Sequence, residues 1–213
     1  MTKAESKVID FIKKHILLFL LVAVTIIAIF LRVCGMDFQS DDFNSFLNSW
    51  WSIIKLNDFT GLATQVGNYN IPYQIIIYLM TLLPLNALYA YKIVSIIFDF
   101  VLAISTAMLV YSFAKNNRRL KAILTYSAVL LSATVIFNSS FWAQCDSIYT
   151  SFIILAILFL HKDKPIVSFV FIGIAFAFKL QTVFIIPVLL YYLISTKKIS
   201  ILHFFIIPAL DVI

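Results

Sequence analysis

Apolar runs broken by short polar stretches fill this chain from end to end. A helix crossing a hydrocarbon core takes about 20 mostly apolar residues. The first run, Ile16 to Val33, predicts a span, and Lys13, Lys14 and His15 flank its start. A polar stretch from Cys34 to Asn70 follows, with Asp37, Asp41, Asp42 and Asp58 against Lys55. Later runs predict further spans over Ala87–Ala114, Ala122–Phe137, Ile148–His161, Ile166–Phe178, Thr182–Ile194 and from Ile199 onward. The fold class is therefore all-α integral membrane, one module over 1–213 with about seven transmembrane helices.

The run from Ile71 to Leu83 is short and ends at Pro84. If it crossed the membrane, every later segment would invert and the cluster Lys115, Arg118, Arg119 and Lys121 would lie outside. Treating it as re-entrant or interfacial restores the positive-inside pattern. Residues 1–15 are then cytoplasmic, and 34–86 form an extracytoplasmic loop with an amphipathic and a re-entrant helix. Within that loop Phe43, Phe46, Leu47, Trp50 and Ile54 share one helical face, with Asn44, Asn48 and Ser52 opposite. Ser40 has the chemistry of an N-cap, and the tryptophans suit headgroup depth.

Composition changes the picture by exclusion. Of 213 residues, 62% are hydrophobic and 12% charged, with a mean hydropathy of +1.01. A soluble fold or a disordered chain does not carry that balance. The net charge of +6 is no nucleic-acid stripe, because most of the cations sit in loops between apolar runs: Lys3, Lys7, Lys13 and Lys14; Lys115 to Lys121; Lys162 and Lys164; Lys197 and Lys198. Cys34 and Cys145 make no metal pair and no disulfide framework. His15, His161 and His203 lie apart, near cytoplasmic ends, as interfacial anchors. The wealth of Lys, Ile, Asn and Phe points to an AT-rich bacterial genome.

Four polar features gather on the predicted outer face. Asp42, with Asp41 beside it, has the chemistry of a general base for an acceptor hydroxyl; acids in a helix's first turn equally serve free N–H groups and the helix dipole. Asn68 and Tyr69 lie in the stretch before Pro72. Gln144 and Asp146 open the fourth span and suit sugar hydroxyls. Lys179, followed by Gln181, interrupts an apolar run and suits a lipid phosphate. Asp99 lies deep in the second span, where an acid costs about 2.5–3.5 kcal/mol on insertion scales. It faces protein or water, as a structural centre or as part of the site. Lys92, seven positions earlier on the same face, suits an anionic ligand or snorkels to the headgroups.

The order of these motifs resembles the GT-C glycosyltransferases, specifically bacterial membrane proteins related to the eukaryotic mannosyltransferase that adds the second mannose of the GPI anchor. The stretches are Asp42-Phe43-x-x-Phe46-Leu47-x-x-Trp50, Asn68-Tyr69-Asn70-Ile71-Pro72-Tyr73, Lys92-Ile93-Val94-Ser95-Ile96-Ile97-Phe98-Asp99, Trp142-Ala143-Gln144-Cys145-Asp146-Ser147-Ile148-Tyr149 and Phe178-Lys179-Leu180-Gln181. The resemblance implies juxtamembrane helices in the first loop. It also implies a polyprenyl-phosphate-linked hexose donor, mannose first among them, and inverting transfer on the extracytoplasmic face of the cell membrane to a glycan or lipid acceptor. Asp42 would be the base and Asp41 the second choice. No cofactor is required, although some relatives use a divalent metal. Departures are Ser49 and Ala143, where the family has Pro and Gly, and Ile71-Pro72 in place of Pro-Pro. The likeness covers what would be the N-terminal half of such an enzyme. Alone it is expected to be weakly active or inactive, a second chain being one source of the missing half. Two other readings compete: a non-catalytic subunit or remnant binding lipid or a partner chain, and a transporter coupled through Asp99 and Asp146. The transporter predicts an inverted repeat, and none is visible.

Overall fold

A computed structural model describes residues 2–211, which are all-helical with no strand among them. Among the described residues two helices are long and apolar enough to cross a membrane. The first, α1 (Lys3–Val33), opens with a capping box in which Thr2 Oγ1 accepts from Glu5 N–H and the Glu5 carboxylate accepts from Thr2 N–H. The second, α4 (Ala87–Phe113), has 27 residues. At 1.5 Å per residue it rises about 40 Å, more than a core of about 30 Å requires.

Between them lie α2 (Asn48–Asn57) and α3 (Ile71–Thr81). The 11 residues of α3 rise only about 16 Å, too little to cross. A π-turn over Phe43–Leu47 leads into α2. Ser40 acts at its start as expected, accepting from Phe43 N–H at 3.1 Å. The buried face is Phe43, Leu47, Trp50, Trp51 and Ile54. Phe46, expected on that face, is instead 53% exposed and Trp51 is covered. The wide π-turn holds one residue more than an α-turn and rotates the register behind it.

The expected span Ala122–Phe137 is broken. It consists of α5 (Arg118–Leu130), α6 (Ala133–Ile136) and a second π-turn, Phe137–Phe141, with a 51° bend between the halves; counted as one, the pair is a third potential span. Neither Pro nor Gly sits at the bend. The carbonyl of Leu130, left over at the helix end, accepts from Arg32 Nη1 at 3.0 Å. Beyond it come α7 (Asp146–His161), α8 (Pro165–Phe178), α9 (Ile186–Tyr191) and α10 (Ile206–Asp211), the last two joined to 3₁₀ or π segments. Packing runs as a chain of neighbours, α1 on α5, α5 on α4, α4 on α7, α7 on α8 and α8 on α10.

A buried polar centre holds this stack together. Arg32 and Asp99 are 1% and 0% exposed and pair at 2.9 Å. Ser139 donates to the same Asp99 oxygen at 2.6 Å and Ser147 to the other at 2.5 Å. Arg32 also reaches the Ala28 carbonyl. Four segments of the chain thus meet at one carboxylate, and Asp99 is structural. The three histidines each lie against a tilted phenylalanine ring: His15 against Phe11, His161 against Phe113, His203 against Phe169. Cys34 and Cys145 are both free.

Candidate functional site

Two of the site's loops each follow from a local turn. Asp42 immediately precedes the first π-turn; Gln144 and Asp146 lie just beyond the second. The turns are held from outside. Tyr91 donates to the Leu47 carbonyl at 3.0 Å, and Ser40 Oγ donates to the Trp142 carbonyl at 3.2 Å. Between them Ala143, fully buried, takes a left-handed backbone with φ 58°, which aims Gln144 at the first loop.

A third loop, between α2 and α3, supplies Asn68 and Tyr69. It is pinned by Gln74, 0% exposed, whose amide is oriented to donate to the Thr64 carbonyl and accept from Val66 N–H. Gly67 within it has φ 77°, and its α-carbon lies against the Trp50 ring, so that a Cβ there would come within 2.2 Å of that ring. Only glycine meets both demands.

The side chains then connect in sequence. Gln144 Nε2 donates to the Asp42 carboxylate at 2.7 Å. The Tyr69 hydroxyl donates to Gln144 Oε1 at 3.0 Å. Lys179 lies over the Tyr69 ring, 5.5 Å from its centre, and over Tyr149 at 5.7 Å. It forms an ion pair with Asp146. The other Asp146 oxygen accepts from Asn138 at 3.0 Å. Burial, followed by the nearby Cys145 and the Asp146 and Asp42 carboxylates, raises the Tyr69 hydroxyl well above its ordinary range, so it remains a donor to Gln144.

Two cavities share Asn68 and Tyr69 as a common wall. The smaller, about 150 Å³, contains Asp42, Trp50 and Gln144. The larger, about 550 Å³, contains Lys179 and Gln181 and is flanked by Leu180, Val183 and Phe184, all three exposed.

Seven of the residues singled out from the sequence therefore meet here: Asp42, Asn68, Tyr69, Gln144, Asp146, Lys179 and Gln181. Two do not. Asp41 is exposed and lines neither cavity. Lys92, expected to meet an anion, is fully buried, and its ammonium donates to the carbonyls of Gly35, Met36 and Phe38. All three of its donors are taken, which closes off the end of α1 rather than a ligand. Asn138, which holds Asp146, was not anticipated. Among the described residues no group of three or more His, Cys, Asp or Glu gathers as a metal site. Set against known families, curated proteins and solved structures, the chain matches none.

Proposed function

We propose that the chain is a membrane glycosyltransferase module of GT-C type, with about seven membrane-crossing segments, moving a hexose from a polyprenyl-phosphate donor to an acceptor. The supporting observation is the paired cavity: one carboxylate, Asp42, on one side of the Asn68–Tyr69 wall, and one ammonium, Lys179, on the other. The exposed apolar flank of the larger cavity suits a prenyl chain, and Lys179 at its polar end suits the phosphate. Asp146 steadies Lys179, whose remaining N–H groups face the donor.

In the reaction the acceptor oxygen forms its bond to the sugar's anomeric carbon as Asp42 takes the hydroxyl proton. The bond from that carbon to the phosphate oxygen breaks, and its electron pair leaves with the polyprenyl phosphate. Attack from the Asp42 side opposite the phosphate inverts the centre. Lys179 stabilises the negative charge that develops on the leaving oxygen. Gln144 orients Asp42 and is itself fixed by Tyr69.

The test uses membranes containing the chain, a polyprenyl-phosphate mannose and a photoreactive polyprenyl phosphate. Asp42→Asn is expected to lower transfer by about 10²–10⁴-fold, the usual share of a general base, with labelling retained. Lys179→Gln is expected to lose labelling. Transfer indifferent to Asp42→Asn, or labelling indifferent to Lys179→Gln, overturns the reading. Labelling with no transfer by the unaltered chain would assign the non-catalytic lipid-binding role instead.

A further inference from the structure

The opposite end of the helix stack carries a second pair of grooves that the proposed transfer does not use. The larger, about 670 Å³, lies between α1, α4 and α5 and is walled by Leu21, Ile104, Ala107 and Met108. Its rim holds Arg118, the first residue of α5, and Lys162, just past the end of α7. A second groove of about 450 Å³ adjoins it, with Lys14, His15 and Arg119. The two share Leu21, Tyr111, Ala122 and Ile123. Both volumes fall in the range of about 300–1,000 Å³ typical of small-molecule sites.

We propose that these grooves form a site for a glycerophospholipid with an anionic headgroup, its phosphate between Arg118 and Lys162 and an acyl chain in the larger groove. Charge complementarity carries the assignment. Four cations line the two grooves and, among the described residues, no carboxylate does. Asp163, next to Lys162, is occupied by Lys198 at 2.7 Å. Arg118 is already placed: its Nε donates to the Tyr111 carbonyl at 2.9 Å and its guanidinium lies 4.2 Å from the Tyr111 ring centre. Its two terminal nitrogens make no hydrogen bond among the described residues, which leaves the fork that suits a phosphate.

The floor is equally telling. From Arg118 to Tyr126 the groove descends about 12 Å along α5. At the bottom Tyr126 and Thr25 hydrogen-bond each other at 3.0 Å, and Thr25 donates to the Leu21 carbonyl. Both hydroxyls are satisfied, so the floor demands nothing polar of its occupant. A cationic rim over an apolar slot between membrane helices is the arrangement that binds anionic headgroups. Free phosphate would leave that slot empty.

The test is native mass spectrometry of the purified chain in non-ionic detergent, titrated with phosphatidylglycerol, with phosphatidylcholine and with inorganic phosphate. Phosphatidylglycerol is expected to bind at least tenfold more tightly than phosphatidylcholine, with millimolar phosphate failing to displace it. Arg118→Gln with Lys162→Gln should reduce it to the phosphatidylcholine level. Ala122→Trp, on the shared wall, should exclude it while leaving every cation in place. Melting temperatures of the variants establish that they are folded. Equal affinity for the two lipids, displacement by phosphate, or unchanged binding in folded variants overturns the proposal.

Discussion

Two of the ion pairs among the described residues each join an aspartate to a basic side chain, in opposite settings. Arg32 and Asp99 are sealed in the stack, with two serines and two helix carbonyls filling most of their remaining positions. Lys179 and Asp146 sit at the cleft with side chains 18% and 38% exposed. Removing one member of a buried pair leaves an uncompensated charge, whereas solvent takes over for an exposed one. The first pair therefore holds helices and the second is available for a ligand. Ser147 joins them, since it binds Asp99 and directly follows Asp146.

The sharpest way to break this contrast is to truncate each acid. Asp99→Ala is expected to cost about 3–5 kcal/mol of stability, and Asp146→Ala less than about 1 kcal/mol, both read by unfolding in detergent. Equal losses would erase the distinction. A smaller effect is expected at the cleft's backbone support. Gly67→Ala drives a methyl into the Trp50 ring at a positive φ and should cost about 1–3 kcal/mol, with faster proteolysis of the 58–70 loop. Smallest of all is the reverse exchange at Ala143. Relief of its left-handed backbone by Ala143→Gly is offset by the freer unfolded chain, so the melting temperature should stay within the equivalent of about 0.5 kcal/mol. The same two residues, swapped in opposite directions, then differ because only one site is also sterically closed.

How much was legible follows from the physics of each feature. The long helices α1 and α4 announce themselves because hydropathy integrates over many residues. Gln144, Asp146 and Lys179 stood out as polar breaks in apolar sequence, Asn68 and Tyr69 as the end of the polar stretch before Pro72, and folding brings them together. The Arg32–Asp99 pair had a readable half: Asp99 lay deep in an apolar run. Pairing them needed the packing of α1 against its neighbours, which no single run encodes. The bend after Leu130 was unreadable for the same cause, since its stabilising partner lies 98 residues away in sequence. Lys92 misled because its partners are backbone carbonyls, which exist at every position and leave no mark in a sequence.

That lysine has a consequence for biosynthesis. Gly35, whose carbonyl it takes, precedes it by 57 residues. Translation at about 5–20 residues per second leaves an interval of roughly 3–11 s between the two. During it the segment bearing Asp42 has left the ribosome with its anchor still unmade. The shape of the first loop is thus a late event, completed when the fourth helix emerges, and a pause or truncation in that window would leave the acidic edge of the cleft unset.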